Sequence, residues 1–298
     1  MKRSTSRETM LRVLLGVCIW LSSHDAFAGN LFESDWGSGN IYEFTPSGSQ
    51  STFATGLNRP TGLAFDQSGN MFVADALSNT IYEFTPSGSR STFASGLNFP
   101  ESLAFDSKGN LFEADRNSGN IYEFTPSGSQ SIFASGLNIP ANLAFDSKGN
   151  LFEADLFSET IYEFAPNGSR SIFASASSSL SGLAIDGSDN LFASSIFTGN
   201  IYEFAPDGSQ FTFASGLLEP SSLAFDSKGN LFEADYGSNT IYEFTPTGIQ
   251  SRFANGLDLP SGLAFAPNPV PEPSNLLLLA AGAIGLGAYA WRKRPADC

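Results

Sequence analysis

Between residues 29 and 268 the chain has neither histidine nor cysteine; its one histidine, His24, and both cysteines, Cys18 and Cys298, lie in the end segments. That stretch therefore offers no disulfide, no Cys/His zinc site and no serine or thiol nucleophile activated by an imidazole. Catalysis there would have to rest on carboxylates, hydroxyls, a few Lys and Arg, and a hard cation. Basic residues are scarce too: Gly29 to Asn268 holds eight Lys and Arg against 26 Asp and Glu, a balance of −18. Phosphate backbones need Lys/Arg neutralisation, so an acidic body of this kind excludes nucleic acid as a partner. Divalent cations and neutral sugars fit it better.

What the chain has in abundance is repetition. LAFDSKGNLFEAD runs from Leu103 to Asp115 and recurs unchanged at Leu143–Asp155 and Leu223–Asp235, with weaker copies beginning at Leu63 and Leu183. The period of 40 residues is that of a solenoid or propeller. Within one period four short segments alternate with turn signals: 102–106 (strand a), 110–115 (b), 120–125 (c) and 131–135 (d). Ser107-Lys108-Gly109 and Pro126-Ser127-Gly128 are the turns, glycine supplying positive φ and proline a fixed one. Four strands in about 40 residues make a propeller blade. Five full repeats run from 61 to 260, residues 31–60 supply b, c and d without an a, and Ser261–Phe265 supplies an a alone. The expected fold is all-β, a six-bladed propeller over 29–269 with one blade closed by the two ends of the array, which removes two exposed edges.

The end segments read as addresses. Met1 to Arg12 carries four basic residues, Leu11–Leu21 is mostly apolar, and Ala26-Phe27-Ala28 gives the small residues of a cleavage site, so 1–28 is a secretory signal peptide with Ala26 and Ala28 as processing positions. At the other end, 270–298 opens on Pro271-Glu272-Pro273, continues into the apolar run 276–291 and closes on Arg292-Lys293-Arg294. Sixteen residues cover about 24 Å as a helix, a short transmembrane span with a cytoplasmic C-terminus. These three parts in this order resemble the PEP-CTERM sorting signal of Gram-negative bacteria. The resemblance implies export through the inner membrane, transient anchoring there, removal of the tail by an exosortase-type enzyme, and release to the surface of bacteria that make extracellular polysaccharide. A permanently retained anchor is the alternative.

The blade pattern G-N-L-F-x-A-D, then I-Y-E-F, preceded by P-x-x-L-A-F-D, resembles NHL repeats and the related six-bladed lactonase-like propellers over Leu31–Phe265. One fold hosts many functions, so the resemblance names the architecture and no activity. Virginiamycin-lyase-like and amidoglycolate-lyase-like relatives rely on histidines that this body lacks. RNA-binding NHL domains present a basic face, and calcium-dependent lactonases an asymmetric Glu/Asn/Asp set that has no residue-by-residue match here.

Comparing the copies with one another separates scaffold from decoration. The a–b and c–d turns barely change; variation concentrates in the d–a and b–c connections, which an antiparallel meander places on one end of every blade. Trp36, Arg59, Phe99, Arg116, Phe157, Phe197 and Tyr236 fall there and are the candidate binding residues, set either to engage a sugar or protein partner or to pack between neighbouring loops. Asp35, Asp75, Asp115, Asp155 and Asp235 end strand b on the same side, with Ser195 breaking the ring. Such a circle is a candidate Ca²⁺ site through oxygen ligands, or a set of loop caps. With Phe112, Ala114, Tyr122 and Phe124 on one side of the sheet, Glu113 and Glu123 would share the other, an opposed pair needing a cation, a proton or hydrogen bonds.

Blades this interchangeable favour a surface-sorted binding or scaffold module of the extracellular matrix, with polysaccharide or a surface protein as ligand. The competing readings are a Ca²⁺-dependent or carboxylate-based hydrolase or lactonase of the SMP-30/gluconolactonase-like type, and a purely structural component.

Overall fold

The computed structural model describes residues 29–175 and 178–267. The signal-peptide segment, with Ala26 and Ala28, and the sorting segment, with Pro271, Glu272, Pro273 and the run 276–291, lie outside the described residues. Among those described, no helix is long and apolar enough to cross a membrane.

Among the described residues, twenty-four strands form six antiparallel four-stranded sheets. Blade 3 is representative: a is Pro100–Phe105, b Leu111–Asp115, c Asn120–Phe124 and d Gln130–Ala134. Blades 2, 4, 5 and 6 begin their a strands at Pro60, Pro140, Leu180 and Pro220. In blade 1 the a strand is the last of the array, Pro260–Phe265, and pairs with the first, Leu31–Asp35. Its register, Leu31↔Phe265 and Glu33↔Leu263, repeats the internal Leu111↔Phe105 and Glu113↔Leu103. The closing strand is thus held as every other a strand is. Neighbouring a strands touch all the way round the ring, whereas the d strands lie outermost and exposed.

Each blade is too thin to bury its own apolar residues, so the core lies between blades. Phe72 of blade 2 packs edge-on against Phe105 of blade 3, ring centroids 5.1 Å apart, within a cluster that includes Leu103, Leu111 and Phe124. The contact recurs as Phe32–Phe65, Phe112–Phe145, Phe192–Phe225 and Phe232–Phe265. Blade 5 carries Ile185 in place of the phenylalanine, against Phe152.

Register overturns the expected glutamate pairing. Asp115 stands opposite Asn120, which puts Glu113 opposite Tyr122 and Glu123 opposite Phe112. Opposed residues share a face, so Glu113 and Glu123 point to different neighbouring blades. The expectation aligned the aromatic residues of b and c, and the pairing is one residue out of that alignment, enough to reverse every side chain. Glu33, Glu113, Glu153 and Glu233 are instead entirely buried among apolar residues, and none of their carboxyl oxygens has a hydrogen-bond partner.

Candidate functional site: a cup at one mouth of the channel

The b–c and d–a connections do share one end of the ring, and the aspartates that close strand b join them. Asp115 accepts the backbone N–H of Ser118 in its own b–c loop at 3.1 Å and that of Asn98 in the d–a loop at 2.7 Å. Asp35, Asp155 and Asp235 make the same two contacts, and Asp75 accepts Asn58 N–H at 2.8 Å. In blade 5, Ser195 reaches Ser178 Oγ at 2.9 Å instead. The five aspartates, raised as candidate calcium ligands, are turned into the loops as braces. Among the described residues no group of three His, Cys, Asp or Glu side chains converges in a way that could hold a metal ion.

Inside this braced rim lies a cavity of about 430 Å³. Leu63, Leu103, Leu143, Leu183, Leu223 and Leu263 of the six a strands are among the residues that line it. The strands close in at that level: a Cβ at Gly182 would collide with Ser221 O, and one at Gly262 with Thr61 O. Hydroxyls tie the ring together. Thr61 donates to Pro100 O at 2.9 Å, Ser181 to Pro220 O at 2.8 Å, Ser221 to Pro260 O at 3.1 Å and Ser261 to Pro60 O at 2.8 Å. In this column blades 3 and 4 have Glu101 and Ala141.

Of the seven candidate binding residues, Trp36, Phe99, Arg116 and Tyr236 line the cup. Arg59 lies over the Trp36 ring at 3.9 Å, and Trp36 meets Tyr236 edge-on at 6.0 Å. Phe157 and Phe197 are outside it, 60% and 76% exposed on the loops of blades 4 and 5. Two wall residues escaped the sequence reading, Glu101 and Asn142. The signal was present: Glu101 is the lone acid in the Thr61, Glu101, Ala141, Ser181, Ser221, Ser261 column, and Asn142 the lone amide in the next. Glu101 pairs with Arg116 at 3.4 Å, and Arg116 leans over Phe99 at 5.1 Å. Burial raises the Glu101 carboxyl above its ordinary range, with Arg116 opposing the shift. Burial likewise raises the Tyr236 hydroxyl, with Arg59 pulling it down.

Backbone strain marks the same rim. Arg59, Phe99, Ile139, Glu219 and Leu259, each the residue before the proline of strand a, are left-handed, with φ between 62° and 69°. Such a conformation costs a non-glycine residue about 1–3 kcal/mol, and it is least tolerated by a β-branched residue such as Ile139. Glycine would relieve that cost, yet five different side chains occupy the five places.

The fold and this cup define a class: six-bladed propellers that present one ligand-sized recess at a channel mouth. Within it, residues 19–154 match the family described as "SMP-30/Gluconolactonase/LRE-like region". Residues 269–294 match the "PEP-CTERM protein-sorting motif", so the chain is an exported propeller carrying a signal for membrane-anchored, exosortase-type sorting. No curated protein matches the sequence. Among solved structures, a chain of a nidogen/laminin complex superposes with a TM-score of 0.74 at 20% identity, over 80% of this chain and 98% of that one. A gluconolactonase from Xanthomonas campestris gives 0.66 at 16% identity, over 78% and 87%. Virginiamycin B lyase from Staphylococcus aureus gives 0.63 at 16%, over 83% and 92%. At these identities the likeness is one of fold.

Proposed function

We propose that this protein is a binding module of the extracellular matrix that holds saccharide in the cup. The observation behind the reading is convergence: blades otherwise interchangeable differ mainly at the rim, where strained positions carry side chains chosen for something other than backbone comfort. Trp36 and Tyr236 offer ring faces for the C–H faces of a sugar, while Glu101, Arg116 and Asn142 offer donors and acceptors for its hydroxyls. Asn30 and Ala266 meet at the opposite end of the ring, so the described chain begins and ends away from the cup. Export and sorting then present the propeller to ligands outside the cell, and the tail is removed in release.

Co-sedimentation of the full chain with the host's extracellular polysaccharide tests this, run with Ca²⁺ and with chelator. Retention is expected in both conditions and to survive added salt, and the Trp36→Ala/Tyr236→Ala variant should lose it by roughly tenfold or more. Equal retention of the variant would remove the cup from the reading.

Hydrolysis of a lactone or ester is the second reading. It is supported by the match to the SMP-30/Gluconolactonase/LRE-like region and by the raised carboxyl of Glu101 on the cup wall. Turnover of a sugar lactone lost in Glu101→Gln would favour it over binding alone.

A further inference from the structure

Asparagine followed by glycine is prone to react with its own backbone, because glycine has no Cβ to hinder the approach of its nitrogen to the asparagine Cγ. The propeller body has two such pairs, Asn167-Gly168 in the c–d turn of blade 4 and Asn255-Gly256 at the end of strand d of blade 6. All four residues are exposed, and as dipeptides the two pairs are equivalent.

The fold separates them. Gly168 N–H donates to Ala165 O at 2.8 Å, and Asn167 Oδ1 accepts Ser169 N–H at 3.0 Å. Nucleophile and carboxamide are both tied into the turn, and both bonds must break before the two can meet. In the same place of blade 5, Asp207 accepts Ser209 N–H at 2.9 Å, so this turn is built around a side-chain oxygen. Asn255 has no such tether. Among the described residues neither its side chain nor Gly256 N–H has a hydrogen-bond partner, since the strand pairing ends at Thr240↔Asn255. Gly256 stands in open space, at φ 76°, where an added Cβ would meet nothing within 4 Å. The other blades carry Thr55, Ser95, Ser135, Ser175 and Ser215 in this column, so the amide belongs to blade 6 alone.

We propose that Asn255 is a site of spontaneous modification, converted by its own backbone and water to aspartate and isoaspartate. The Gly256 nitrogen, having lost its proton to hydroxide, forms a bond to Asn255 Cγ. The bond from Cγ to the side-chain nitrogen breaks, and ammonia leaves with a proton from water. Water then opens the five-membered imide: at Cγ it gives aspartate, at the backbone carbonyl isoaspartate, whose main chain is one carbon longer. Neither oxidant nor cofactor enters. The position gives the change a consequence. On one side Ala254 is paired with Ile241; on the other Leu257 is buried in the seam between blades 6 and 1 and donates its N–H to Asn239 O. The extra carbon must be absorbed between these fixed points, in the connection that leads to the closing strand Pro260–Phe265.

Incubation of the full chain in mild detergent at slightly alkaline pH, with both sites followed by peptide mass mapping, tests the proposal. Asn255 is expected to convert roughly tenfold or more faster than Asn167, with isoaspartate as the larger product. In urea, where the turn and the strand are lost, the two rates should converge. Asn255→Ser should abolish conversion at that place and leave Asn167 unaffected. The isoaspartate form should melt below the Asn255→Asp variant, which adds the charge without the carbon. Conversion of Asn167 as fast as Asn255 in the folded chain, no conversion of Asn255, or a difference that persists in urea would overturn the proposal. An isoaspartate form that melts together with Asn255→Asp would overturn its effect on the closing seam.

Discussion

A glutamate in a sheet interior normally finds a partner, because an ionised carboxylate without one is costly to bury. Glu33, Glu113, Glu153 and Glu233 find none. Glu113 has Tyr122 opposite it and Asp115 two residues along, and the facing blade presents apolar residues such as Ala74 and Ile81. Burial raises all four carboxyls well above the ordinary range, and the neighbouring aspartate adds to the shift. Their protons are therefore held more tightly in the folded than in the unfolded state, where glutamate titrates near pH 4.3. Stability from this source is complete below that pH and drains as pH rises towards the folded value, each carboxyl costing up to about 1.4 kcal/mol per pH unit in the window. We expect the melting temperature to be highest in mild acid and to fall through neutrality. The quadruple Glu→Gln variant should show a shallower fall, and thermal melts from pH 4 to 9 measure both. Val73 and Ala193 fill the same place in blades 2 and 5, so an uncharged residue is compatible with the fold there. No charge count could show this, because the relevant fact is which neighbour each glutamate faces.

The blade shows how readily its elements were read. The expected a, b, c and d segments of blade 3 lie within two residues of the observed strands, because each is bounded by a glycine or proline turn that only a hairpin connection accommodates. The register of c against b is not legible in the same way: both strands carry apolar residues on both faces, Leu111 beside Phe112 in b and Ile121 beside Tyr122 in c, so either alignment keeps aromatic side chains inside. Contacts between elements of different blades were equally out of reach. Gly182 looks replaceable beside Ser102 or Ser222 in the same column, yet it touches the next a strand and Ser194. Gly182→Ala is expected to destabilise the protein by roughly 2 kcal/mol or more through overpacking against backbone that cannot move aside. Ser222→Ala, which loses only the acceptor for Leu263 N–H at 3.1 Å, should cost about 1 kcal/mol. Urea denaturation of the two variants side by side checks the order.

At the scale of the molecule, one short strand closes the ring. Removing Pro260–Phe265 would expose the edge of Leu31–Asp35 and uncover the cluster that Leu263 and Phe265 complete with Phe232. Since blades are stable only against their neighbours, a chain ending at residue 259 is expected to lose its cooperative thermal transition rather than to melt a few degrees lower, as circular dichroism would show. The ring was legible in the sequence because a 40-residue period with a split repeat at its ends has one economical closure, and the match to solved propellers agrees. The export address was legible for a similar reason: sorting signals are linear and need no fold to be read. The cup was only half legible. Repeat comparison placed Trp36, Arg59, Phe99, Arg116 and Tyr236 on one face, but placed Phe157 and Phe197 there equally, since loop membership does not fix whether a side chain turns toward the axis or away from it. Glu101 and Asn142 became visible only once six a strands stood around one axis. Local periodicity, turn chemistry and signal segments determine the architecture because they act between residues close in the chain. Which carboxyls are buried without a partner and which side chains share the recess were decided by packing between blades, among residues far apart in the chain.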